Sequence, residues 1–157
     1  MEKLILLSIA AVIFSAYVGY IWFKYGVQKS ISASYYKLKG WRQVFFTLVL
    51  WAFSMLVMIA SESYKECYNL MFFAGVGICF VGASPAIKSS KMTKLVHMIG
   101  AIGGILLGLA FLICIGQWVL VLNLAYIAII IWCKAKNWMW WVETLMFFGI
   151  LGGVAWS

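Results

Sequence analysis

The sequence predicts an all-α fold: a polytopic integral membrane protein built as one six-helix transmembrane bundle across residues 1–157. Three observations predict it. Hydrophobic residues make up 66% of the chain, aromatic residues 18% and charged residues only 10%, with a single proline, a composition foreign to water-soluble domains. Six apolar runs are each long enough to cross a bilayer, and backbone in hydrocarbon must satisfy its own hydrogen bonds, so each run reads as a helix. The connections between them alternate between lysine-rich and lysine-poor. Six helices of about 20 residues use roughly 120 residues, which leaves only short connections.

The first run, residues 4–23, follows Lys3 and imitates the core of a signal peptide. It continues past Phe14 to Phe23 with bulky residues and no small-residue cleavage site, which predicts a first transmembrane helix that stays. The connection after it carries Lys24, Lys29, Lys37, Lys39 and Arg42. Its apolar residues Ile31, Tyr35, Leu38 and Trp41 recur at three- and four-residue spacing. Two readings follow: a short amphipathic helix at the interface with its lysines toward anionic headgroups, or a solvated serine-containing loop.

The second helix is predicted over 43–60, and the connection after it sets Lys65 against Glu62 and Glu66. The third, 69–87, leads into Lys88, Lys91 and Lys94. On the fourth, 95–115, Gly100, Gly104 and Gly108 stand four residues apart, and the following connection at Gly116-Gln117 has no lysine. The fifth, 118–133, precedes Lys134 and Lys136, and the sixth, 138–156, repeats the glycine spacing at Gly149 and Gly153. Where side chains are missing, helix backbones approach closely, so these five glycines predict helix contacts, within one bundle or across an oligomer interface. Eight tryptophans near predicted helix ends, Trp22 and Trp41 among them, read as interfacial belts rather than a nucleic-acid stacking platform.

The net charge of +8 resides mainly in the connections, where membrane orientation accounts for it without nucleic acid. The positive-inside rule makes 24–42, 88–94 and 134–137 cytoplasmic and places both termini outside, with Lys3 on the unfavourable side. The expected location is a plasma or inner membrane of prokaryotic type. Cys67, Cys79, Cys114 and Cys133 show neither a disulfide framework nor metal-ligand spacing and read as small hydrophobes.

Ionisable groups inside membrane segments are costly, which makes them functional candidates; this chain has two clear ones, His97 and Glu143. Both lie a short way into their helices from the lysine-rich pole. Ser84, Arg42 and Tyr35 fall at the same level, so the expectation is a cytoplasm-facing polar vestibule binding through these five residues. The structural alternative pairs Glu143 with Arg42, Lys134 or His97 while the other polar groups snorkel to headgroups. An enzyme would need Ser84 as nucleophile, His97 as base and Glu143 to orient the imidazole. One histidine and no aspartate exclude a three-histidine zinc hydrolase, and no phosphate loop or dinucleotide fingerprint occurs, so no catalytic set, metal or cofactor is predicted.

The stretch from Phe73 to Leu112, FAGVGICFVGASPAIKSSKMTKLVHMIGAIGGILLGLAFL, is a glycine-spaced helix ending in small-x-Pro, a short loop, then His-x-x-Gly-Ala. It resembles the pattern in the DRAM and FRAG-like six-helix membrane proteins, as does SISASYY after the first helix, though its bulky SYY departs from that pattern. The resemblance implies a compact six-helix bundle, places the loop-flanking proline and histidine at Pro85 and His97, and links the chain to membrane lipid homeostasis and trafficking without a defined reaction. Together these readings favour a non-enzymatic protein interacting with lipid or a small solute, with membrane lipids as partners and a homo-oligomer allowed. A small transporter or oligomeric channel is the alternative, and an intramembrane lipid hydrolase a third.

Overall fold

Apolar side chains on every turn make the first segment helical, and α1 runs over Glu2–Tyr25. It stops at Gly26, whose φ of 72° lies in a region that other residues rarely adopt, and the Gly26 N–H closes the last turn onto Trp22 O. The computed structural model describes residues 1–84 and 90–157. Among these the chain forms a 3-10 helix at Ser32–Lys37 and five more α-helices: α2 (Trp41–Ala60), α3 (Tyr68–Ala83), α4 (Ser90–Cys114), α5 (Trp118–Lys134) and α6 (Trp138–Trp156). No strand occurs among the described residues.

Among the described residues four segments are long and apolar enough to cross a membrane: Glu2–Tyr25, Trp41–Ala60, Lys94–Cys114 and Trp138–Trp156. The apolar helices α3 and α5, with 16 and 17 residues, are shorter than that length. At 1.5 Å per residue α3 reaches only about 24 Å. Its expected continuation to residue 87, together with Pro85 and Lys88, lies outside the described residues. The outer surface is rich in exposed apolar side chains, such as Val12, Leu48, Leu106 and Leu122, and α5 buries only Leu124. Water would penalise such a surface, whereas lipid would not.

The segment 26–40 follows neither sequence expectation fully. Ile31, Tyr35 and Leu38 do turn inward, but Gln28, Ser30 and Ser34 are buried with them, so the segment folds into the bundle instead of lying on an interface or in solvent. Burial is possible because polar partners are supplied locally. Tyr17 OH meets Ser34 Oγ at 2.5 Å, Ser34 Oγ donates to Ile31 O, and Gln28 Nε2 donates to the carbonyls of Tyr25 and Gly26. Asn137 Nδ2, at the start of α6, donates to Val27 O from across the bundle. Irregular backbone can be buried within protein when its polar groups are paired in this way. Replacing Tyr17 by Phe leaves buried Ser34 short of a partner, so we expect a loss of about 1 kcal/mol and faster proteolysis within 27–40, read by limited digestion in detergent.

The centre of the bundle is aromatic. Phe14 of α1 stacks on Phe147 of α6 at 4.6 Å, and Phe53 of α2 closes the triangle at 5.2 Å from Phe14 and 4.9 Å from Phe147. Such ring pairs add to simple area burial through their quadrupoles. The glycines set the helix contacts within this single chain. A Cβ on Gly100 would stand 2.6 Å from Gly77 O, and one on Gly77 2.7 Å from Gly100 O, so α3 and α4 meet backbone to backbone. Gly104 continues that contact at Ala74 O, while Gly108 turns to Ile150 of α6. Gly149 receives Leu124, and Gly153 receives Leu112 and Leu120.

One cysteine expectation is corrected. Cys67, just before α3, and Cys114, at the end of α4, form a disulfide with Cα atoms 6.1 Å apart, while Cys79 and Cys133 are free. The sequence concealed it because the partners are 47 residues apart and each sits at the edge of an apolar run. The bond lies at the lysine-poor pole. There Lys3 Nζ donates to Tyr64 OH at 2.9 Å, and Tyr64 OH meets Ser157 Oγ at 2.6 Å, tying the start of α1 and the end of α6 to the α2–α3 connection. Burial raises the Tyr64 phenol, but the Lys3 ammonium and the Ser157 hydroxyl more than offset this and bring it below its usual pKa. Lys3 therefore has a partner at the lysine-poor pole.

Candidate functional site

A helix end leaves its last carbonyls without intrahelical donors, and in an apolar environment those groups need partners. The C-terminal end of α3 obtains them from three directions. Trp51 Nε1 donates to Cys79 O at 3.0 Å and Thr47 Oγ1 to Gly82 O at 2.8 Å, both from α2, and the Ser84 N–H closes onto Phe80 O. Val81 O accepts from Ser84 Oγ at 3.3 Å. Ser84 Oγ and His97 Nδ1 are 3.0 Å apart, so serine, histidine and the Val81 carbonyl form one cluster between α3 and α4.

Two members of the serine–histidine–carboxylate set are thus together, and the third is not. Among the described residues the hydrogen-bond partner of Glu143 is the backbone of Ile31, whose N–H donates to Oε2 at 2.5 Å. Ser84 is 1% exposed, so a substrate has no approach to its oxygen in this conformation. What the pair does here is satisfy the end of α3. Replacing Ser84 by Ala should cost about 1 kcal/mol, a small fall in melting temperature in detergent.

Glu143 instead lines an internal cleft. Along α6, Glu143, Met146, Phe147 and Ile150 follow the spacing of one helix face. On α4, Ala101, Gly104 and Ile105 do the same, with His97 one turn nearer the lysine-rich end. These two faces touch at Gly108 and Ile150 and leave room between them on the Glu143 side. Ile78 and Val81 of α3 and Leu50 of α2 close the back, and Ile31 with Ser32 of the buried segment close the polar end. Counted with its open mouth, the cleft encloses about 500 Å³ of empty space. Its wall is almost entirely apolar, and Glu143 and Ser32 supply its polar side chains.

The five residues expected to form a vestibule therefore separate. Glu143 lines the cleft, whereas His97 and Ser84 cap α3 beside it. Tyr35 is buried against Tyr36 and Phe46, and Arg42 lies over the ring of Trp41 at the start of α2, so neither joins the cleft. The expected pairing of Glu143 with a cation gives way to a backbone donor because the segment 26–40 folds inward and presents Ile31 N–H to it. Ser32 was concealed among four polar and aromatic neighbours in SISASYY, with nothing in its spacing to single it out. No group of three metal-ligating side chains occurs among the described residues. No protein-family model, curated protein or solved structure matches this chain.

Proposed function

We propose that the protein is an integral membrane protein whose six α-helices all insert, and that it binds a lipid or small amphiphilic solute in the cleft between α4 and α6. The observation that carries this reading is a single carboxylate, Glu143, at one end of an otherwise apolar cleft. A buried carboxyl group held by a single backbone donor is still costly, and a bound polar head would supply a second partner. The short α3 and α5 insert as parts of the bundle, α3 with its end capped by Thr47, Trp51, Ser84 and His97.

The lysine-rich pole faces the cytoplasm in this reading, with both termini outside. Two unrelated observations support that orientation: the lysine bias of the connections, and a disulfide at the opposite pole, where an oxidising compartment would preserve it. Native mass spectrometry of the purified chain tests the binding reading. The expected result is a mass adduct of one defined lipid or solute that is reduced in Glu143→Gln and lost in Ala101→Phe, which fills the cleft. A chain free of adducts, or adducts identical in all three proteins, would overturn it.

A further inference from the structure

α5 packs into the bundle along one side only. Leu120 and Leu124 enter the spaces left by Gly153 and Gly149 on α6, and Leu124 is its one buried residue. The opposite face is uncovered. There Val119, Asn123, Tyr126, Ile130 and Cys133 follow one another in alternating steps of four and three residues, and all five are exposed. On a helix of 3.6 residues per turn that spacing keeps a narrow seam in line over the length of α5, the pattern with which one helix packs along another.

Asn123 sets this seam apart from an ordinary lipid-facing surface. Polar side chains elsewhere in the apolar helices have partners: Thr47 and Trp51 donate to carbonyls of α3, Ser54 and Thr144 to the preceding turn of their own helices, and Ser84 meets His97. Asn123, about a turn and a half into α5, has no hydrogen-bond partner among the described residues. Hydrocarbon offers a carboxamide neither donor nor acceptor, so its exposure there is unfavourable until another polar group reaches it.

Hydrogen-bond complementarity selects the occupant. A carboxamide carries an acceptor oxygen and two N–H donors, so two of them facing across a twofold axis satisfy each other. Copies inserted in one orientation hold Asn123 at the same depth. The other four seam positions carry no charge, which gives an oppositely charged partner nothing to recognise, and Lys134 falls at the helix end, where water and headgroups screen it from its counterpart.

On the reading of α5 as a membrane helix, we infer that the protein is a parallel homodimer whose α5 helices pack along this seam with the two Asn123 carboxamides bonded to each other. A lone Asn in an apolar seam fixes register as well as partner number. Here that register brings the two copies of Cys133 together at the lysine-rich end of the helix pair.

The test uses the full chain in proteoliposomes, with Cys79→Ser so that Cys133 is the one thiol outside the Cys67–Cys114 disulfide. Oxidation with copper phenanthroline should give a dimer joined through Cys133. Moving the thiol along the seam, Ile130→Cys with Cys133→Ser, should keep the crosslink, whereas Val12→Cys with Cys133→Ser, outward on α1, should lose it. The crosslinked fraction, followed as the protein is diluted with lipid, reports association. Asn123→Leu should weaken it about tenfold, and Asn123→Gln, which keeps a carboxamide, should restore most of it. Crosslinking as strong from Val12→Cys as from Cys133, or unaltered in Asn123→Leu, would overturn the seam. Ala125→Cys with Cys133→Ser, exposed but off the seam, tests the premise separately with a charged maleimide supplied on both sides of the membrane. Protection there in a chain that stays monomeric would sink the dimer alone, while labelling would place α5 in water and overturn its insertion.

Discussion

Gly100→Leu should abolish the native pairing of α3 with α4, with a loss of about 3 kcal/mol or more, read as the unfolding midpoint in mixed detergent micelles. The magnitude follows from what stands opposite. A Cβ at residue 100 would lie 2.6 Å from Gly77 O and 3.2 Å from Phe80 Cβ. Side-chain tips can rotate away from an intruder, but a helix backbone can only translate, and translating α3 would break every contact along its length. Even alanine would be too large here. Gly103 provides the control on the same helix, because a Cβ there meets nothing within 4 Å. Gly103→Leu should leave the midpoint within about 0.5 kcal/mol of the parent. Equal effects at both positions would show that the glycines matter for helix flexibility and not for close approach.

The second large effect belongs to the disulfide. Removing it by Cys67→Ser with Cys114→Ser should cost about 2–4 kcal/mol, the usual range for a cross-link closing a loop of this size. The lower part of that range is expected, because α3 and α4 are held together by the Gly77–Gly100 contact and the unfolded chain in a membrane keeps much of its helix. The loss should concentrate at one pole. Cys67 is 7% exposed, and the Lys3, Tyr64 and Ser157 network stands on the same connection. Hydrogen exchange should therefore quicken in 61–70 and at both chain ends, while 27–40 at the other pole stays protected. Uniform acceleration through the bundle would refute this local account.

How readable each feature was depends on how far apart its parts are in the chain. The helical class and the long apolar segments were legible, because hydropathy and the need to satisfy backbone hydrogen bonds act within one segment at a time. Glu143 and His97 stood out for the same reason, as isolated polar groups in apolar runs. Their partners did not. Glu143 is met by a backbone N–H 112 residues away, and no pattern in side-chain identity announces a backbone donor. The expectation that Ile31, Tyr35 and Leu38 share a face was sound as periodicity, yet periodicity says only which residues lie together, not whether that face meets lipid, water or protein.

The sequence by itself determined the helical class, the apolar character of the helices, the lysine asymmetry of the connections and which residues were too polar or too small to be ordinary. Only the tertiary structure decided that Gly100 meets Gly77, that Cys67 meets Cys114, that Ser84 and His97 cap α3, and that Glu143 stands in a cleft apart from them. The physical reason is the same throughout. Hydrophobicity and helix formation are summed over neighbouring residues, whereas contacts, caps and cavities depend on how the helices pack against one another.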